Sequence, residues 1–134
     1  MAVKLAKDAV DIGIVVKDAG KALAFYRDLL GLEFEGELPR GGGGTMHRLK
    51  AGNTVVKLIS PGRSTPADAA PGGIQGAYGF RYWTMIVENL EEIVGQCESA
   101  GYKIAVPVTE FRPGTTIAIV EDPDANWVEF VTYS

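Results

Sequence analysis

Read for apolar and polar positions, the chain makes two passes through one pattern. Residues 10–16 (VDIGIVV) are a short β-branched run suited to a buried strand. Asp18 follows as a helix N-cap, and Ala22, Leu23, Tyr26, Leu29 and Leu30 recur at helical spacing until Gly31 stops the helix. Three strand-like runs come next, LEFEGEL, TMHRLKAG and TVVKLIS, separated by the glycines of residues 41–44 and by Gly52-Asn53. The second pass opens with RYWTMIV at residues 81–87. Asn89 is its predicted helix cap, Leu90, Ile93, Val94 and Cys97 its apolar stripe, and Gly101 its stop. YKIAVPV, TTIAIVE and WVEFVTY then predict three more strands, the last preceded by the turn Asp122-Pro123-Asp124-Ala125-Asn126.

The two passes superimpose at an offset of 71 or 72 residues, which sets Val16-Lys17-Asp18 against Val87-Glu88-Asn89 and VVKLI against WVEFV. The expectation is an α+β fold: one domain over 1–134 built from two tandem βαβββ modules, about 8–61 and 80–134. A Pro/Gly/Ala-rich linker, residues 61–79, joins them. Repeats of this kind imply curved mixed sheets around a cleft, with helices on the outer side and neither module folding alone.

Alternation assigns the faces. Ile12, Ile14 and Val16 point to the helix, as do Trp83, Met85 and Val87, Val56 and Leu58, and Val128 and Phe130. The opposite, inner face collects four polar residues at matched positions, Asp11 with Tyr82 and Lys57 with Glu129. Lys57 and Glu129 would then pair across the pseudo-twofold axis, with Asp11 as a second acceptor. A shifted register would instead turn each charge to solvent, where an ion pair contributes only ~0–1 kcal/mol.

Composition narrows the classes. With 46% hydrophobic and 22% charged residues the chain is globular, and 134 residues can hold a core. A net charge of −4 and scattered basic residues disfavour nucleic acid or an anionic membrane as partner. A lone cysteine, Cys97, precludes an intrachain disulfide. Lys4, Lys7 and Asp8 break any leader-like apolar segment, so a cytoplasmic protein is expected. The GGGG run lacks the helix and Lys-Ser/Thr of a phosphate loop and reads as a mobile loop, a candidate flap over the cleft.

Two stretches, DIGIVVKDAGKALAFYRDLLGLEF and EDPDANWVEF, resemble the vicinal oxygen chelate superfamily, also called the glyoxalase/bleomycin-resistance/dioxygenase family. The resemblance spans nearly the whole chain. It implies the duplicated fold, a homodimer and a small-molecule ligand, but not one reaction, since the family includes isomerases, epimerases, thiol transferases, ring-cleaving dioxygenases and drug-sequestering proteins. Metal-dependent members take ligands from the first and last strands of each module. Those positions here are Asp11, Lys57, Tyr82 and Glu129, and an ammonium has no lone pair to offer a metal.

The expected function is therefore binding of a small organic molecule with no metal cofactor. Lys57 would meet an anionic or carbonyl oxygen, and Glu129 would hold it or act as a base, a catalytic pair if turnover occurs as a lyase or isomerase. Asp11, Tyr82, Thr84, Trp127 and His47 would line the site; Tyr82 and Trp127 either stack on a flat ligand or fill the cleft. His47, the only histidine, shares a face with Leu49 and is more often a structural residue. Two alternatives stand: a metal-dependent lyase, isomerase or dioxygenase holding one divalent ion with Asp11, Glu129 and His47, and a non-catalytic regulatory module whose site the Lys57–Glu129 pair plugs.

Overall fold

β-Branched and aromatic residues at alternating positions build eight strands, and the two periodic segments between them build two helices. The computed structural model describes residues 1–134, which divide into two units, Met1–Pro66 and Ala67–Ser134. In the first unit, β1 (Ile12–Val15), β2 (Glu33–Pro39), β3 (Thr45–Ala51) and β4 (Thr54–Ser60) form a sheet of order β1-β4-β3-β2. β1 runs parallel to β4, and the other pairs are antiparallel. In the second unit, β5 (Tyr82–Ile86), β6 (Ile104–Arg112), β7 (Thr115–Glu121) and β8 (Trp127–Tyr133) repeat the plan as β5-β8-β7-β6. Both sheets are mixed, as the α+β expectation requires.

Helix α1 begins at Ala19–Leu23 and continues as wider π-type turns over Ala24–Leu29. Asp18 caps it as expected, its carboxylate accepting from the Lys21 N–H at 3.0 Å. Because the π turns shift the face presented to the sheet, neighbouring Phe25 and Tyr26 are both fully buried, edge to face with centroids 4.8 Å apart. Helical spacing alone singled out only Tyr26. Helix α2 (Leu90–Ser99) buries Leu90, Val94 and Cys97. Asn89 precedes α2, but its side chain accepts no bond from the helix backbone; its amide reaches Glu92 at 3.4 Å instead. Gly31 and Gly101 follow the helices at φ 77° and 89°, the left-handed stop that glycine adopts without strain.

Strand parity is as the alternation demands. Leu49, Val56 and Leu58 in the first sheet and Ala118, Val120, Val128 and Phe130 in the second are at most 1% exposed, and they form the helix-side cores. Each large side chain buried this way contributes ~1.5–3 kcal/mol, which fixes register, since a one-residue slip would invert both faces.

Gly41–Gly43 forms a tight turn in which Gly42 takes φ 75° and ψ 17°. The Arg63 N–H donates to Gly42 O at 2.9 Å, and a Cβ at Gly62 would collide with the backbone of Gly42, Gly43 and Gly44. Gly44 and Gly62 are needed because two backbone turns pack against each other there without side chains between them. No helix is long and apolar enough to cross a membrane.

Candidate functional site

Each sheet turns one face to its helix and leaves the other for chemistry. In the second unit the register sets Tyr82 beside Trp127, and Thr84 beside Glu129 with Ile119 on its far side. All five therefore project from the face away from α2. The Thr84 hydroxyl donates to Glu129 Oε1 at 2.6 Å, a short bond of the charge-assisted kind that fixes the carboxylate's orientation. Ile119 and Val131, also on this face, are 4% and 7% exposed, so the carboxylate rises from an apolar floor. Tyr82 is 47% exposed. The Trp127 indole N–H donates to Glu121 Oε2 at 3.2 Å, and Lys103 stands 3.7 Å from the same carboxylate.

The β7–β8 turn delivers Trp127 and Glu129 to this face. Asp122 is buried and accepts from the Asp124 N–H at 2.8 Å, the Asn126 N–H at 2.9 Å and the Asn126 amide at 3.0 Å. Ala125 sits at φ 66°, the left-handed position of the turn.

In the first unit Lys57 lies between Gly13 of β1 and Arg48 of β3, half-buried on the open face. Arg48 is bridged to Glu35 at 3.0 Å. Gly13 leaves room above the sheet, since a Cβ there would touch nothing closer than 4.0 Å. Asp11 does not serve as the lysine's hydrogen-bond acceptor. Its carboxylate takes the Lys7 ammonium and, at 2.9 Å, the Val55 N–H. Lys7 first, and then that backbone bond, hold its carboxyl below the usual aspartate range, with a smaller electrostatic contribution from Lys57. Glu129, at the matching position of the second sheet, accepts from Thr84 of its own sheet.

His47 requires a correction. Its register partner is Leu58, so it occupies the helix-side face, 8% exposed, with Nδ1 3.3 Å from Glu37 Oε2. It therefore lies on the opposite face of the sheet from Lys57 and Asp11 and cannot join them. The sharing of a face with Leu49 carried that signal, because Leu49 faces the core. The donor set fits a divalent ion poorly: Lys57 has no lone pair and its ammonium would repel the ion, Asp11 already accepts an ammonium and an N–H on Oδ1, and no three His, Cys, Asp or Glu side chains converge within either unit.

One contact could not be assigned from strand parity or helical spacing. The turn Gly73–Gln75, in what reads as a linker, packs against the Trp127 ring, where a Cβ on Gly73 would overlap the indole carbons. One aromatic face of Trp127 is thus already covered by backbone.

The duplicated sheets, each with a helix on one side and polar groups seated on the other, define the class of paired βαβββ folds. Residues 9–130 match the model of the Glyoxalase/Bleomycin resistance protein/Dioxygenase superfamily, and the chain belongs to that superfamily. Among solved structures, a glyoxalase family protein from Bacillus cereus is similar at 17% identity and TM-score 0.84, covering 98% of this chain and 96% of that one. Lactoylglutathione lyase from Agrobacterium tumefaciens is similar at 25% identity and TM-score 0.67, covering 96% of each chain. An antibiotic binding protein from a Streptomyces species is similar at 18% identity and TM-score 0.70, covering 100% of this chain and 99% of that one. No curated protein matches by sequence.

Proposed function

We propose that the protein binds a small, partly flat organic molecule on the open face of its second sheet, with no metal taking part. The observation that carries this reading is the Glu129 carboxylate, oriented by the Thr84 hydroxyl at 2.6 Å and flanked by Tyr82 and Trp127 over apolar Ile119 and Val131. A carboxylate so held offers acceptor lone pairs to a hydroxyl, amine or acidic C–H of the ligand, and aromatic neighbours favour a flat apolar part. Thr84 donates to one oxygen and leaves the other available. If the ligand is turned over, Glu129 is the base, and lyase or isomerase chemistry begins with proton removal there. In the first unit Lys57, with open space above Gly13, offers an ammonium to an anionic or carbonyl oxygen.

Membership of a superfamily whose structural neighbours include an antibiotic binding protein supports a binding role. A lyase neighbour keeps the enzymatic reading open as the second choice. The donor chemistry around Asp11 and Lys57 weighs against a metal-dependent version. We further propose a cytoplasmic homodimer without a nucleic-acid partner, to be checked by light scattering of the purified protein.

The test is calorimetric titration with a panel of aromatic alcohols, amines and carboxylates, followed by Glu129→Gln, Thr84→Val and Lys57→Met. Losing a charge-assisted bond weakens binding by ~1.5–3 kcal/mol, so Glu129→Gln should cost about tenfold or more in affinity for the best donor-bearing ligand. Lys57→Met should affect anionic ligands selectively. If Lys57→Met raises stability and changes no affinity, the lysine is a plug. Stoichiometric divalent metal after purification without added metal would overturn the metal-free reading.

A further inference from the structure

The segment ahead of β5 is tied down in a way that a linker does not require. Gly72 and Gly73 take φ 93° and 56°, and Gly73 is buried against one face of the Trp127 indole. Arg81, immediately before β5, spends its guanidinium on this segment. Nε donates to Gly73 O at 2.6 Å, and Nη2 donates to Ala70 O at 2.6 Å and Pro71 O at 3.4 Å. Three backbone carbonyls on one planar cation fix a loop far more tightly than its own sequence would, because the five guanidinium donors are rigidly arranged. Gly76 completes the fold-back, since a Cβ there would strike the Pro71 carbonyl. Beyond this segment in sequence, Tyr78 and Phe80 are fully exposed.

We infer that residues 70–76 form a strap, held by Arg81, that walls off one face of Trp127 and so limits which ligands the Glu129 face admits. Arg81 is a positioning residue here: it touches the strap, not the ligand. The ligand-selecting consequence rests on the proposed binding role of the second sheet, whereas the strap's hold on Trp127 does not. With the strap in place a flat ligand can use only the other side of the indole. Release of the strap exposes a second stacking face, which favours wider, two-ring molecules over single rings.

The experiment uses the full chain with Trp83→Phe, so that Trp127 is the sole tryptophan. Acrylamide quenching of Trp127 should rise about twofold in Arg81→Ala and in Gly73→Ala, because uncovering the second ring face doubles the surface open to collision. Arg81→Lys, which keeps the charge but not the planar fork, should fall between. Naphthylmethylamine and benzylamine, whose ammonium groups can donate to Glu129, are then titrated into the same proteins, and the ratio of their affinities should shift towards the naphthyl compound when the strap is released. Unchanged quenching in folded Arg81→Lys and Gly73→Ala would overturn the strap, and the lysine variant decides the matter if Arg81→Ala does not fold. Raised quenching with no binding of either amine to any variant would leave the strap standing and overturn its ligand-selecting role. Raised quenching with an unchanged affinity ratio would do the same.

Discussion

Replacing Asp122 by Ala should destabilise the protein by about 3 kcal/mol, because the turn that aims Trp127 and Glu129 depends on one buried carboxylate. Asp122 accepts three bonds between 2.8 and 3.0 Å, two of them from the N–H groups of Asp124 and Asn126. Hydrogen bonds to a charged acceptor contribute ~1.5–3 kcal/mol each when nothing replaces them, but the outer part of this turn is within reach of water, which recovers some of the loss. The orphaned N–H groups also loosen the backbone around Ala125, whose φ of 66° is held by the turn. For a domain of this size about 3 kcal/mol corresponds to a fall of about 10 °C in Tm. Thermal melts followed by far-ultraviolet circular dichroism measure that fall, and near-ultraviolet signals follow Trp127 itself. Asp122→Asn retains an acceptor at Oδ1 and should lose about half as much. A Tm for Asp122→Ala within about 2 °C of the parent would refute the reasoning. So would equal losses in the alanine and asparagine variants.

Ala125→Gly should be neutral or stabilising by up to ~1 kcal/mol in a denaturant melt, since glycine removes the left-handed strain while adding freedom to the unfolded chain. Cys97 is fully buried and burial pushes its thiol up to about 11, so thiol reagents at pH 8 should react only as fast as the protein opens. Reaction at a free-thiol rate would contradict its place on the α2 core. Asp11 has its carboxyl lowered in the folded state, so its stabilising effect is present above the ordinary aspartate value near pH 4 and fades as pH falls through the folded value. The Tm gap between the parent and Asp11→Asn should accordingly narrow from pH 7 to pH 3. Gly62→Ala should destabilise the glycine turn, read as lost protection of the Arg63 amide in hydrogen exchange, because a methyl there meets the backbone of Gly42, Gly43 and Gly44.

The duplicated order of elements, the two helix stops and the parity of every strand beside Lys57 and Glu129 were legible in the chain. The reason is geometric: a strand alternates every residue, and a helix-side core of Val56, Leu58, Val128 and Phe130 leaves no freedom in what the intervening residues face. Other features depended on neighbours distant in sequence. The face of His47 followed from its register against Leu58 and the burial of Leu49, not from its chemistry. Thr84 donates to Glu129, 45 residues away, because parallel pairing of β5 and β8 sets the two side by side. Asp11 accepts from Lys7 and from the Val55 N–H rather than from Lys57. Least legible was the strap, since glycine and proline in a linker look alike whether or not an arginine gathers their carbonyls. Local sequence determines periodicity and stops, as these are properties of a single backbone segment; which polar group satisfies which is a property of the packed whole, where each buried donor must find its acceptor across the fold.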